Sequence, residues 1–565
     1  TTLSLNGLPD DYFIFLENGK RLYGDDTYAR INVAKIKRIE ILNGASSALY
    51  GTNAIGGVIN IITDDVKNAI NVSSDTRYAS KGRFTQSVNI DVNTGKFGSY
   101  TSYRRQQAEG WQLNPYEENS KTHELEETGK VASTGFYANT VNQKFTFDAT
   151  DKLSFYARGG YYDNKTRRPY EAYDYNILHE TFNYGIGAQY MINKGNYITA
   201  DCYADHFSSS YCFFKDNKTY NGKAGEEQVR KRTRNHNLSI KGIFKLGNRH
   251  KLSVGTEYIV DVLKSQTDNI AKEDAYTLAL FAQDEIKLLR NLQALIGVRY
   301  IYHENFKNHA TPNVALMYKP GKFNFRASYA AGFRTPTLSE LYATDIAKKN
   351  DRLTIGNLDL KPEKNNYFSL SAEYVHERFS VSVNAFYNNI RDMIDYNTIA
   401  TGDKAMEQYG HKEVRQRDNI AEAKVHGINV SANAYLGAGF NLSGGYTHLN
   451  TQDVELEQPI DKSIKNAYNI NAQWAHSWKI YRLNINLNGR FNSKRFSKSY
   501  GYAPEYQLWD LNTRHSFNLK SVIIEPGCGM ENLFDYMDDR PYNSNYATLT
   551  PGRSFYISLS LKFKS

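Results

Sequence analysis

The closing residues, SFYISLSLKFKS, put Phe555, Ile557, Leu559, Leu561 and Phe563 on one face of an extended chain and Tyr556, Ser558, Ser560 and Lys562 on the other. Side chains alternate across a strand, so this is a period-two pattern with one apolar and one polar surface. The same alternation recurs in KFTFDATDKLSFYARGGYYD, KFNFRASYAAGF, FSVSVNAFYNNI, FNLSGGYTHLN and YRLNINLNGRF. Short polar links punctuate these runs at residues 149–152 (ATDK), 193–196 (NKGN), 246–250 (LGNRH) and 318–322 (YKPGK), while other connections are long and polar.

Alternating short and long links between half-apolar strands is the pattern of a transmembrane barrel, with short turns on one side of the membrane and longer loops on the other. Composition is consistent with that reading. Mean hydropathy is negative, as expected when only every second strand residue faces lipid. No stretch approaches the roughly 18 apolar residues of a spanning helix, so any span is made of strands. The 44 tyrosines suit girdles where a ring sits in hydrocarbon and a hydroxyl in water. A soluble propeller or solenoid would need a fixed repeat, and the sequence has none. The formal charge of +9 is scattered without long basic runs, which argues against nucleic acid as a partner.

Roughly 500 residues follow the opening segment, and about 22 to 23 residues per strand and connection give about 22 strands, an even number within the bacterial range. A barrel of that size has a wide lumen that is either plugged or conducting. The expected fold is therefore an all-β membrane protein: a 22-stranded antiparallel transmembrane β-barrel with an N-terminal plug domain in its lumen. The three cysteines add little. If Cys202 and Cys212 share one strand, ten steps of roughly 3.4 Å place them about 34 Å apart, far outside disulfide reach, and Cys528 has no local partner. All three read as small packing residues.

The stretch RIEILNGASSALYGTNAIGGVINIITDD, from Arg38 to Asp65, supplies the candidate plug. Gly44, Gly51, Gly56 and Gly57 permit close backbone approaches, and Ala45, Ser46, Ser47 and Ala48 are small enough to pass near a wall. This stretch resembles the end of the plug domain in TonB-dependent outer-membrane receptors: an R-I-E-V strand, a Gly-rich turn, S-A-L-Y-G, then A-I-G-G-V-I-N-I-I-T. It departs where the family usually has Arg-Gly-Pro and this chain has Asn43, Gly44 and Ala45. Further blocks follow in family order: YTLALFAQDEIKL from Tyr276; AAGFRTPTLSELYATDIAKKNDRLTIGNLDLKPEKNNYFSLSAEY, similar to the family's F-R-A-P and N-P-N-L-K-P-E blocks; NIAEAKVHGINVSANAY; and MENLFDYMDDRPYNSNYATLTPGRSFYISLSLKF. The resemblance makes residues 1–65 the C-terminal half of a plug and residues 66–565 the barrel. The first half of the plug, with the TonB-contacting box, is not in this sequence, and no charged-then-apolar leader opens it, consistent with a processed or incomplete N-terminus.

The resemblance implies energised uptake. A scarce ligand binds between plug apex and outer loops, and TonB, driven by its inner-membrane complex, pulls on the plug. The protein would then lie in the bacterial outer membrane, in contact with lipid and lipopolysaccharide. Its terminal strand, ending in aromatic Phe563, resembles the signal read by the outer-membrane assembly machinery. A surface lipoprotein lid is a further partner that such receptors can carry. Arg38 and Glu40 would be plug–barrel contacts. In the segment LENGKRLYGDDTYARIN, Tyr23, Asp25, Asp26, Thr27 and Tyr28 would face the ligand, and the loop around NKTRRPYEAYDYNILHETFNY adds Arg167, Arg168, Tyr170, Tyr173, Asp174 and Tyr175, a mixture suited to a large ligand with flat apolar faces and polar edges. Loop carboxylates would offer a Ca²⁺ site, although their spacing is not diagnostic, and no resident cofactor is expected. Haem receptors of the family usually carry a His between the two central blocks. Residues 337–356 have none, leaving His179, His206, His303 and His309 as substitutes from elsewhere. That tilts the expected ligand toward cobalamin or another corrinoid, ahead of haem and then ferric siderophores. No Ser/His/Asp order, H-E-x-x-H or paired-Cys motif appears, so no enzyme is expected. A passive porin and an outer-membrane barrel enzyme are the alternatives from other classes.

Overall fold

The computed structural model describes residues 4–33, 36–44, 51, 54–63, 69–119, 122–347 and 351–564. From Ile70 onward the alternating segments pair antiparallel, each with its neighbour in sequence, into one closed barrel of 22 spanning strands. The final strand, Ser554–Lys564, closes the wall against the first, Ile70–Ala79, with Tyr556 opposite Ala79 and Phe563 opposite Val72. Closure removes the unpaired strand edges that hydrocarbon would not tolerate. All the links at one end are short, among them 94–96, 149–152, 247–249 and 319–322, whereas the other end carries long connections at 109–134, 335–362 and 532–553. The long-loop end is the extracellular mouth.

Alternation sorts the two faces of the wall. On Glu227–Leu246, Arg232, Arg234, His236, Leu238 and Ile240 are exposed on the outside, while buried Asn235 and its alternate neighbours turn inward. On the final strand Phe555, Ile557, Leu559 and Phe563 are exposed to the lipid side, and Tyr556 packs inside under the Arg77 guanidinium at 3.9 Å. Cys202 and Cys212 lie on one continuous strand, Asn196–Phe213, and with Cys528 are free thiols.

The plug sheet takes the order Lys20–Arg21, Phe13–Glu17, Gly57–Thr63, Ile36–Asn43, with its two central strands parallel. Ile14, Leu16, Ala54 and Val58 pack on one face, and Phe13, Phe15, Leu22, Ile31 and Ile61 on the other. Two glycines are obligatory. A Cβ on Gly57 (φ 143°) would lie 2.3 Å from the Leu42 carbonyl oxygen, and one on Gly44 (φ 81°) would lie 2.3 Å from the Tyr367 ring on the barrel wall. The plug seats Leu8, Tyr12 and Ile55 against Ala330, Tyr367, Phe386, Ile390, Ala423 and Val425 of the wall. Residues 45–50 of the plug motif, and the expected boundary between residues 65 and 66, lie outside the described residues.

Candidate functional site

The plug is held from below and from one side. Ile55 and Tyr12 make the apolar seat, while charged residues bind the wall formed by Leu153–Arg167, Tyr175–Asn193 and Asn196–Phe213. Lys20 pairs with Asp201 at 2.8 Å, Arg158 with Glu17 at 2.9 Å, and Arg30 with Asp205 at 3.1 Å. Asp205 also accepts the Tyr23 amide at 2.9 Å. Arg104 donates to the Ile31 carbonyl at 2.6 Å, and Asn32 bonds Asn89 and Ser102, each at 2.8 Å. Inside the lumen Lys20, Arg158 and Arg30 each meet a carboxylate, while the Arg104 guanidinium is held by the backbone carbonyls of Ile31 and Ala29, so that each buried cation is compensated or hydrogen-bonded. Arg38 and Glu40 sit elsewhere: they pair with each other at 2.7 Å on a largely exposed strand, and Asn60 of the same sheet donates to Glu40 at 3.0 Å. Among the described residues, the wall is held by Lys20, Glu17, Arg30 and Asn32, which sequence reasoning did not single out. The signal that could have found their partners is a run of polar side chains on alternate positions of one strand, with carboxylates at Asp201 and Asp205 on either side of Tyr203.

Above the plug lies a cavity of about 680 Å³ opening toward the long loops. Tyr23, Asp25, Asp26, Thr27 and Tyr28 all line it, with Asp10, Asp11 and Arg21 beside them on the plug. Lys231, Asp261, His303 and Arg417 contribute from the wall, and residues 335–341 from a long loop. Asp26 adopts φ 57° and turns its carboxylate to the wall, accepting from Asn164 at 2.9 Å and meeting His179 Nδ1 at 2.8 Å. Burial alone would raise the Asp26 carboxyl, but the hydrogen bonds from His179, Asn164 and Tyr162 outweigh it and hold the group below its ordinary value. Burial pushes the Tyr23 phenol up. Burial, and then the neighbouring Asp10, raise the Asp11 carboxyl.

A second cluster, at the edge of this cavity, ties three elements together. Arg334, at the end of Phe323–Arg334, forks onto Glu340 with bonds of 3.0 and 3.1 Å and also pairs with buried Glu363. Glu340 belongs to the short helix Leu338–Tyr342, whose Thr337 cap forms a reciprocal capping box with it. Glu363 accepts the Tyr12 hydroxyl of the plug at 3.3 Å and the Ile394 amide at 2.9 Å. Burial would raise the Glu340 carboxyl, but Arg334 and the Thr337 amide hold it below the ordinary carboxylate range. The FRTPTLSELY block thus links loop, wall and plug through one guanidinium.

Arg167, Arg168, Tyr170, Tyr173, Asp174 and Tyr175 do not line the cavity. They build a rim with the neighbouring loop. Tyr175 stacks on Tyr211 with ring centroids 4.0 Å apart and meets Tyr220 edge-on, and Tyr170 stacks on Phe214. Arg168 lies over Tyr173 and Tyr175, Arg167 over Tyr137, and Asn217 donates to Asp174 at 2.7 Å. Among the described residues no three His, Cys, Asp or Glu side chains come together as a metal-binding group, and the rim is built of stacked rings with cations over them. Of the histidines, His303 lines the cavity, His179 is engaged by Asp26, His309 bonds the Phe306 carbonyl at 3.0 Å, and His206 lies on the outer face against Tyr184 and His236.

A barrel filled by a domain whose apex floors an extracellular mouth is a gated transporter of the outer membrane, since the plug denies free passage. Comparison with known families makes this specific. Residues 82–525 match the family described as TonB dependent receptor-like, beta-barrel, and residues 1–58 match the TonB-dependent Receptor Plug Domain. The chain belongs to the TonB-dependent receptors. Solved structures with this fold include a mutant of the ferric enterobactin receptor PfeA of Pseudomonas aeruginosa (TM-score 0.82, 16% identity, covering 99% of this chain and 91% of that one). The siderophore receptor PirA of Acinetobacter baumannii gives a TM-score of 0.80 at 16% identity, with coverage of 99% and 91%. The FrpB iron transporter of Neisseria meningitidis gives 0.76 at 14% identity, with coverage of 100% and 93%. Identity at this level speaks for the fold alone.

Proposed function

We propose that the protein takes up a ferric chelate of the siderophore class, bound in the mouth cavity and released inward when TonB acts on the plug. The observation that carries this reading is the charge layout of the cavity. Asp26 and Glu340 are already engaged by His179 and Arg334, and Asp261 accepts from Asn235 at 2.6 Å. Lys231 makes no ion pair among the described residues, and Arg417 bonds only the Tyr396 hydroxyl, at 2.7 Å. The wall therefore offers two cations to an anionic or carbonyl-rich ligand periphery, with Tyr23 and Tyr28 as flat apolar surfaces below. Asp10, Asp11 and Asp25 accept from ligand amides.

The corrinoid reading moves to second place, because PfeA and PirA are named as siderophore receptors and no feature of the mouth favours a corrin ring over an iron chelate. A haem reading rests on His303, a residue of the cavity lining whose Nδ1 accepts the Asn305 amide at 3.1 Å. Tyr23, Asp25, Thr27 and Tyr28 are assigned to the ligand, and Asp26 to holding their turn against the wall through His179 and Asn164. Arg167, Arg168, Tyr170, Tyr173, Asp174 and Tyr175 are assigned to the rim that a surface lipoprotein would meet.

The test is calorimetric titration of the purified protein with a ferric tris-catecholate, a ferric hydroxamate, cyanocobalamin and haemin. One of the two iron chelates should bind at least about tenfold tighter than cyanocobalamin, and Lys231→Ala with Arg417→Ala should weaken it by about tenfold or more, the scale of a lost charge-assisted bond. Tighter cyanocobalamin binding would restore the corrinoid reading. A haemin Soret shift abolished by His303→Ala would select haem.

A further inference from the structure

Below the mouth, the inner wall carries a row of buried polar side chains that the plug covers. His303 lines the mouth, and Arg299 lies on the same face of the same strand, Leu292–His303, farther from the extracellular end. Arg299 is opposite Thr311 of the next strand. Two strands further on, Glu363 is opposite Arg334 and Asn365 is opposite Gly332, so Asn365 lies just below the Arg334 junction. Arg299, Thr311 and Asn365 are all buried, Arg299 to 1% exposure.

Much of their bonding capacity is unused. Arg299 pairs with Glu257 of the wall through Nη2, while its Nε and Nη1, the Thr311 hydroxyl and Asn365 Oδ1 have no partner among the described residues. The plug lies directly against the row. A Cβ built on Gly51 would sit 3.4 Å from Arg299 Nη2, and Asn365 Nδ2 donates to the Ile55 carbonyl at 3.3 Å. Among the described residues no charged plug side chain pairs with these three. The ion-paired side of the plug differs: parting Lys20 from Asp201, Glu17 from Arg158 or Arg30 from Asp205 would strand charges in the lumen. Parting at this row breaks one neutral hydrogen bond and apolar packing, and it opens unpartnered N–H and hydroxyl groups to new acceptors, which lowers its cost.

We propose that this row is a transit site for the cargo. When energised TonB draws the plug off the wall here, Arg299 Nε and Nη1, the Thr311 hydroxyl and Asn365 Nδ2, freed from Ile55, receive the anionic oxygens of a ferric chelate leaving the mouth. The inference rests on the siderophore reading of the mouth and extends it inward. A guanidinium presents paired N–H groups to carboxylate or catecholate oxygens, and the bond to Glu257 leaves two of its nitrogens for that purpose. The cargo then passes from Lys231 and Arg417 at the mouth to a third cation deeper on the wall, on the side where the plug holds no charge of its own against these residues.

The first test is uptake of a radiolabelled anionic ferric tris-catecholate by cells in which this protein is the sole receptor. E257Q/R299Q removes the guanidinium together with its carboxylate. Surface affinity should stay within about twofold of the unaltered protein while the maximal rate of energised accumulation falls about tenfold, the scale of lost charge-assisted bonds, and R299K should recover part of that rate. An unchanged maximal rate in a heat-modifiable variant would overturn the proposal, as would a loss of affinity as large as the loss of rate, which would assign Arg299 to the resting seat. Failure of the unaltered protein to bind the chelate would instead overturn the siderophore reading itself. The second test leaves the charges in place. With Cys202, Cys212 and Cys528 replaced by Ser, T311C should react with a small hydrophilic maleimide during energised uptake and stay unreactive at rest. Equal reactivity in the two states, or none in either, would overturn the proposal even if the charge variant failed to fold.

Discussion

Asp26 sits where plug, wall and mouth meet, and its chemistry makes a signed prediction. Its carboxyl is held below the ordinary value, so the docking it contributes is fully present above the unfolded pKa of about 3.9 and is lost as pH falls through the lower folded value. Hydrogen exchange of amides 23–31, corrected for intrinsic rates, should show steady protection above about pH 4 and loss below it. Asp26→Asn should remove that acid-dependent loss; an identical acid profile in the variant would contradict the assignment. Arg30 and Asp205 are a stricter case, since their side chains are only 5% and 0% exposed. Asp205→Ala leaves a buried unpaired guanidinium and should cost plug docking about 3–5 kcal/mol, read as a lower urea midpoint for plug exposure. A double replacement by Met and Leu should recover most of it. At this scale the sequence was partly legible. Tyr23 to Tyr28 could be read as a polar apical turn, and they line the mouth. The partners of Lys20, Arg30 and Asp26 could not be read, because alternation says which residues turn inward but not which of them will meet across a lumen.

At the scale of elements, Arg334 joins the Leu338–Tyr342 helix, the wall and the plug turn Asp10–Tyr12. Arg334→Met would strand Glu363 and Glu340 without their cation, a local cost of about 3–5 kcal/mol. Residues 335–347 should then exchange faster and bound ligand should dissociate faster, with the heat-modifiable barrel unchanged; unaltered exchange in that loop would show that it is held by other contacts. The block containing Arg334 could be recognised as a landmark from its residues. Its role as a junction required the fold, because Tyr12, Glu340 and Glu363 are far apart in sequence. The rim differs again. Tyrosine and arginine in residues 167–175 suggested ligand contacts, but those side chains are as well suited to stacking on one another and on the next loop, and they do so here.

Across the whole molecule, the strands were the most legible feature: apolar–polar alternation marks strands with one apolar and one polar face, and the alternation of short and long links selects a membrane barrel among the folds built from them. The plug is seated asymmetrically: ion pairs hold it to Leu153–Arg167 and Asn196–Phe213, and apolar packing holds it to the wall of Tyr367, Phe386 and Val425. Such a seat keeps the lumen closed at rest and makes passage depend on outside work. The most direct measurement is accumulation of a radiolabelled ferric chelate by cells in which this protein is the sole receptor, before and after the inner-membrane proton gradient is dissipated. Surface binding should persist while accumulation falls to background; accumulation continuing at an unchanged rate would mean that the plugged barrel passes its ligand without energised TonB.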